Sequence, residues 1–334
     1  MPPAVRAPPN LPELVKAAFN KARSNGDLTY YATQVVVLTA NSIPFQLRYS
    51  PALAYKPSAP KPRKADEPHK PFDPFENPER GPLFIADIPS GHNIVLNKFA
   101  IVPEHFILST KDFKEQTHLL EPNDLAATYA CLEAYRQYGQ QHDRESGELY
   151  AFFNSGAHSG ASQPHRHIQL LPVARMKDGL PEGSQWDVLA KHLGPQHVSR
   201  VPFTTFGETI HRDMTPDELH RIYISLFRAA VAAVETYTGT VPDTGNADAP
   251  ISYNLAMTND YLVLLPRLAE GSNVFQNGTP AGKLALNGTV LAGTALVKNE
   301  AEWDALRSSK DSVQLLEILS KIGVPKDVSH SKKL

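Results

Sequence analysis

The segment Gly160-Ala161-Ser162-Gln163-Pro164-His165-Arg166-His167-Ile168-Gln169-Leu170-Leu171-Pro172 gathers side chains able to move a phosphoryl group. In a strand, side chains alternate between faces, so His165, His167 and Gln169 share one face. Ile168 and Leu170 share the other and can enter a core, with Arg166 on that second face near the strand's start. The Gly/Ser loop ahead of the strand offers backbone N–H groups that can surround an anion. A neutral imidazole, abundant near pH 7 given a reference pKa of about 6.5, is a good nucleophile toward phosphorus. The phosphoramidate it forms divides one hard transfer into two easier ones. The attacking nitrogen must be bare and aimed, so the other ring N–H needs an acceptor such as a backbone carbonyl. Gln169 can donate to a phosphoryl oxygen, and Ser162 with its neighbouring backbone can do likewise. Two same-face histidines also suit a zinc ion, with His158 the nearest third donor, or can be a plain surface pair. Residue types alone leave these alternatives open.

Such a strand needs neighbours to hold it. Ile94-Val95-Leu96 and Phe106-Ile107-Leu108 read as buried strands joined through Pro103-Glu104-His105. Leu149 to Phe153 is a third strand, and Asn154-Ser155-Gly156 a turn. Ser252 to Met257 and Tyr261 to Leu265, separated by Thr258-Asn259-Asp260, read as a hairpin. Helices are expected over Pro12 to Arg23 and from Pro122, where Leu125, Tyr129, Leu132 and Tyr135 follow helical spacing. A third runs from the capping box Thr215/Glu218, with Pro216 at its first position, to Gly239. Leu286 to Val297 and short helices around Trp303 and Val313 to Ile322 complete the chain. Strands cluster as neighbours with helices between clusters, which is α+β with a largely antiparallel sheet. Proline is concentrated before residue 83, and Pro57 to Pro82 reads as an extended, solvent-facing, flexible loop.

The chain has 334 residues, 41% hydrophobic and 20% charged, enough to bury a sizeable core. A formal net charge of -2 and the absence of a long basic run argue against nucleic acid as a partner. The single cysteine, Cys131, permits no intramolecular disulfide and no cysteine zinc cluster, and it falls on a helical pattern as a small apolar residue. No apolar run approaches the roughly 20 residues of a membrane span, and the N-terminus lacks an apolar signal core. A soluble protein of the cytoplasm is expected, with the nucleus also compatible.

Asn154-Ser155-Gly156, Ser159-Gly160-Ala161-Ser162-Gln163 and His165-Arg166-His167-Ile168-Gln169 resemble the active-site signature of the fungal ATP adenylyltransferases. These are the diadenosine tetraphosphate phosphorylases of the histidine-triad superfamily. The His-x-His-x-Gln form marks the transferase branch; the hydrolase branch usually carries a third histidine where Gln169 stands. The resemblance extends to Leu47 to Leu53 leading to Lys56-Pro57, to Asn97 through Phe106, to Ser252 through Thr258, and to Leu286 through Lys298. It covers roughly residues 12 to 325.

The resemblance implies a histidine-triad-like fold in one adenylyltransferase domain over 1–334. The part to about residue 200 would carry the motif, and the part over about 201–330 would complete the sheet and the nucleotide site. It implies His167 as nucleophile, with His165 beside it and Gln169 on the phosphate. Asn154, Gly160, Ala161, Ser162 and Gln163 match phosphate and ribose contacts; Lys56, Asn97 and Lys98 match substrate-contacting positions. Asn287, Gly288, Thr289, Thr294 and Lys298 match a further nucleotide-contacting set, although Asn287-Gly288 alone is a hairpin signal. Ala161 stands where serine is common, and Thr294 where the family can have methionine. Implied partners are diadenosine tetraphosphate, ATP, ADP and phosphate, with adenylyl sulfate as a further donor. A monomer is expected, with a substrate-bound divalent cation, magnesium, and no structural zinc or other metal site of its own. The rivals are a hexose-1-phosphate uridylyltransferase, whose cysteine zinc site one cysteine cannot build, and a dinucleoside polyphosphate hydrolase, against which Gln169 argues. A catalytically idle nucleotide sensor is a third.

Overall fold

The computed structural model describes residues 5–52, 72–142, 147–196, 200–240 and 248–326. Helix α1 (Leu11–Asn25) buries Leu11, Val15, Phe19 and Ala22, a stripe at helical spacing, and stops at Gly26 with φ 78°. Strand β1 (Thr29–Tyr30) precedes a hairpin of β2 (Gln34–Ala40) and β3 (Ile43–Tyr49). Its two-residue turn, Asn41-Ser42, has φ of 50° and 62°, the type I′ geometry that matches strand twist. β4 (Phe84–Ile88), β5 (His92–Leu96), β6 (Phe99–Ala100) and β7 (Phe106–Thr110) come next.

Helix α2 (Pro122–Gln141) buries the expected Leu125, Tyr129, Leu132 and Tyr135, and Cys131 with them. β8 (Leu149–Ser155) and β9 (His167–Pro172) lead into the short α3 (Val173–Met176). β10 (Phe206–Thr209) precedes α4 (Pro216–Thr238), which carries the Thr215/Glu218 capping box and ends at Gly239 with φ 79°. β11 (Ser252–Met257) and β12 (Tyr261–Arg267) form the expected hairpin. β13 (Gly271–Gln276), β14 (Thr279–Ala285), β15 (Thr294–Val297), α5 (Glu300–Ser308) and α6 (Val313–Lys321) follow. Among the described residues no helix is long and apolar enough to cross a membrane.

Eight strands form one sheet in the order β10-β12-β11-β8-β9-β7-β5-β4, with every neighbouring pair antiparallel. The fold is α+β with a large antiparallel sheet. β15, β3 and β2 make a smaller sheet, and β13 pairs with β14.

The two faces of the large sheet are covered differently. Ile94, Phe106, Leu108, Ile168, Leu170, Ala151, Phe153, Leu255 and Leu264 pack against α1, α2 and α4. On the opposite face Tyr150, Phe152, Leu171, Ala256, Val263 and Leu265 pack against Phe45, Leu47, Val290, Trp303, Leu306 and Ile318, from the small sheet, the 3-10 turn over Gly288–Ala292, α5 and α6. Farther along that face Val95 and Ile107 are covered by Phe75. Between these two covers β9 carries Gln169, half-exposed in a strand whose other residues are buried.

Three expectations change. The strand expected from His165 begins at His167, and His165 joins the sheet only through a bridge to Glu115. Of the proline-rich stretch, residues 57–71 lie outside the described residues. Residues 72–82 are largely exposed, but Phe75 within them is buried and packed on the sheet. Asn287-Gly288 is no hairpin: the Asn287 side chain accepts from the Thr289 N–H and caps a short 3-10 turn over Gly288–Ala292.

Candidate active site

A polar row crosses the sheet on the face away from the helices. Asn254 pairs with Asn154, His167 pairs with Ser109, and Ser109 pairs with Asn93. Residues directly opposite in antiparallel strands point to one face. All five are buried. The register would also set Asn154 opposite His167, but β8 and β9 pair only as far as Phe152 and Gln169. Gln116 fills the gap. Its Oε1 accepts from the His167 N–H at 2.7 Å, and its Nε2 donates to the carbonyls of Asn154 at 2.8 Å and His167 at 3.1 Å. A side-chain amide thus replaces the missing rung where the two strands splay.

The His167 ring is fixed in one orientation. Its Nδ1 lies 2.8 Å from the His165 carbonyl oxygen. A carbonyl can only accept, so Nδ1 carries the proton and Nε2 keeps the lone pair. Nε2 has no protein hydrogen bond among the described residues and is not sealed from solvent. Burial lowers the His167 pKa from 6.5 to about 4; the backbone hydrogen bond opposes this, and the charge of His165 adds to it. The ring is therefore neutral throughout the physiological range.

His165 is bound on both ring nitrogens. Nδ1 is 2.7 Å from Asp73 Oδ2, and Nε2 is 2.9 Å from the Thr110 carbonyl oxygen and 3.0 Å from Thr110 Oγ1. The Phe75 ring lies 5.2 Å from that of His167, tilted 32°, and meets His165 edge-on at 5.6 Å. These contacts disfavour the zinc-pair alternative, because three of the four ring nitrogens already have partners. Among the described residues no group of three His, Cys, Asp or Glu side chains could hold a metal ion.

A second network brings the loop after β8 to the C-terminal part. Asn154 Oδ1 accepts from Asn254 Nδ2 and from the Gly288 N–H, each at 2.8 Å. Asn254 Nδ2 also donates to the Ser159 carbonyl at 2.9 Å, and Asn254 Oδ1 accepts from Arg267. Arg267 is buried and donates further to the carbonyls of Ala269, Glu270 and Leu286. Burial brings its pKa down to about 10, so it stays charged. Gly160 has φ +80°, and a Cβ there would stand 2.7 Å from Asn287 Cβ. A Cβ on Gly288 would stand 2.5 Å from Phe152 Cδ2. Both glycines are needed for this approach.

The network unites Asn154, Gly160, Asn287, Gly288 and Thr289, whose N–H and hydroxyl both donate to Asn287 Oδ1. Ala161 and Ser162 are exposed and Gln163 is half-exposed on the approach to His165. Thr294 is buried, and its hydroxyl donates to Gln46 Oε1 at 3.2 Å, so that group is already engaged within the fold. Asn97 is bound to His105 Nδ1 at 3.1 Å and to the Phe99 N–H at 2.9 Å. Lys98 lies exposed over the Phe99 ring. It lies beyond the end of β5, five residues past Asn93 of the polar row. Lys298 is exposed just beyond β15, and Lys56 lies outside the described residues.

Sequence reading missed Asp73, Phe75, Gln116, Asn254 and Arg267. Only Arg267 left a signal, a charge closing the apolar run Tyr261–Arg267.

A buried neutral histidine with one free ring nitrogen, an amide side chain on its face and a glycine-rich loop docked beside it define a nucleotidyltransferase. Residues 2–182 match the family model of the Ap4A phosphorylase N-terminal domain, and residues 199–325 that of the ATP adenylyltransferase C-terminal domain. The chain belongs to the Ap4A phosphorylase family of ATP adenylyltransferases, Ap4A being diadenosine tetraphosphate. It is 28% identical over 309 residues to diadenosine 5',5'''-P1,P4-tetraphosphate phosphorylase 2 of Saccharomyces cerevisiae, covering 89% of this chain and 90% of that protein. The crystal structure of yeast Ap4A phosphorylase Apa2 with AMP superposes with a TM-score of 0.70 at 25% identity, covering 96% of this chain and 98% of that one. Apa2 with Ap4A gives 0.69 at 25% identity, covering 95% and 98%.

Proposed function

We propose that this protein converts diadenosine tetraphosphate and phosphate into ADP and ATP through AMP carried on His167. The observation that carries the reading is the lock on the His167 ring: Nδ1–H held by the His165 carbonyl, Nε2 free, the ring neutral. Nε2 attacks an α-phosphorus and the bond to the bridging oxygen breaks, releasing ATP. An oxygen of inorganic phosphate then attacks the same phosphorus, the P–N bond breaks, and ADP leaves with the histidine restored. Gln169 is half-exposed beside His167 and can donate to a phosphoryl oxygen as charge builds there. The reverse sequence makes diadenosine tetraphosphate. Adenylyl sulfate, with an equally activated α-phosphorus, fits the first half-reaction as donor. A magnesium ion would arrive on the polyphosphate and shield its charge.

The test follows the products and the adduct. With phosphate the products should be ADP and ATP, and radiolabelled AMP should stay on the protein, stable to base and labile to acid. His167→Ala should abolish both, by at least about 10³-fold in rate. Full-rate release of AMP and ATP without phosphate would make the enzyme a hydrolase and overturn the reading.

A further inference from the structure

We propose that Asp73 is a positioning residue for His167, acting through His165 and Phe75. The proposal rests on the reading of His167 as the nucleophile.

One carboxylate ties the two parts together. Its Oδ2 meets His165 Nδ1 at 2.7 Å, and its Oδ1 accepts the Phe75 N–H at 2.9 Å. His165 Nε2 faces the Thr110 carbonyl, which can only accept. Thr110 Oγ1 stands 3.0 Å from the same nitrogen, so both ring nitrogens of His165 are engaged. Fixed at both ends, His165 cannot turn, and its own carbonyl is the group that holds His167 Nδ1. Phe75, fixed through the same carboxylate, lays its ring over His167. The carboxylate thus sets both the direction of the nucleophile and its shielding from water.

The titratable groups nearest His167 are His165 and Asp73, which are paired with each other. Arg166 points to the helix side and is paired with Glu121 and Asp124, and Lys114 is paired with Glu121. Ser109, Gln116 and Asn154, on the neighbouring strands and loop, carry no charge. Losing the Asp73 carboxylate frees the His165 ring and loosens Phe75. The lost cover lets water reach His167 and eases its protonation, which moves the acid limb of kcat/KM to higher pH.

The experiment compares full-length wild type, Asp73→Asn and Asp73→Glu in pH profiles and single-turnover AMP transfer. Asp73→Asn should lower kcat about 10-fold to 100-fold and move the acid limb upward by about one pH unit, and Asp73→Glu should recover part of both. A wild-type acid limb in Asp73→Asn, with or without lost activity, overturns the proposal, because a merely structural carboxylate would not move it. If Asp73→Asn does not fold, Phe75→Leu answers the same question: an upward limb supports the shielding role and an unmoved limb overturns it. Absence of the AMP adduct on wild type would remove the nucleophile reading itself, a failure distinct from an unchanged Asp73→Asn.

Discussion

At His167, burial takes a side chain that ordinarily titrates near neutrality and keeps it neutral down to about pH 4. In the unfolded chain the same imidazole titrates near 6.5. Between these values the unfolded state binds the extra proton, so stability is full above about pH 6.5 and falls as pH drops toward about 4. Replacing His167 with Gln should flatten that part of the curve. Thermal melts of both proteins at pH 6.5 and 4.5 check this: the wild type should lose more of its Tm on acidification, and equal losses would contradict a buried neutral His167. This site was legible in sequence because the chemistry is local. The alternation of His167, Ile168 and Gln169 follows from strand geometry within one segment, and the need for a backbone acceptor on the second ring nitrogen from the chemistry of attack. Asp73 and Phe75 were not legible, since they lie about 90 residues away in a stretch whose prolines signal a loop and say nothing of where it docks.

The elements around His167 are tied together by a buried cation. Arg267 closes β12 and supplies donors to Asn254 Oδ1 and to three backbone carbonyls, and through Asn254 it fixes Asn154 and the Gly288 N–H. Arg267→Met would leave those acceptors buried without a donor, at about 1–3 kcal/mol each. A clearly lower Tm is expected, together with a smaller Tm increase on adding AMP. An undiminished AMP effect would separate this brace from nucleotide binding. Element reading from sequence succeeded where periodicity is strong, as in α2 and α4, whose apolar stripes and caps stand where the spacing set them. Two Asn-Gly pairs carry opposite meanings. Asn277-Gly278, with φ of 51° and 79°, turns the β13–β14 hairpin, whereas Asn287 caps a 3-10 turn. Identical dipeptides diverge because the flanks decide: two strands long enough to pair in one case, a buried turn packed on Phe152 in the other.

At the scale of the molecule, the large sheet takes β4, β5, β7, β8 and β9 from the first family match and β10, β11 and β12 from the second. The junction is the antiparallel pairing of β8 with β11, from Ala151 with Met257 to Ser155 with Tyr253. The polar row and the Asn154–Asn254 bond cross this junction. Separately expressed segments 1–182 and 199–325 should therefore each be poorly soluble and inactive, and co-expression should recover soluble, active protein. Activity in the first segment alone, measured on diadenosine tetraphosphate, would show that the second contributes nothing to the site.

The same junction bears on synthesis. β8 is buried along its whole length, and its second partner is encoded about 100 residues downstream. During translation, at roughly 5–20 residues per second, a nascent chain carries this apolar edge unpaired for about 5–20 seconds before β11 emerges from the ribosome. In that interval an open strand bearing Phe152 and Phe153 is the surface on which a chaperone, or another nascent copy, will act.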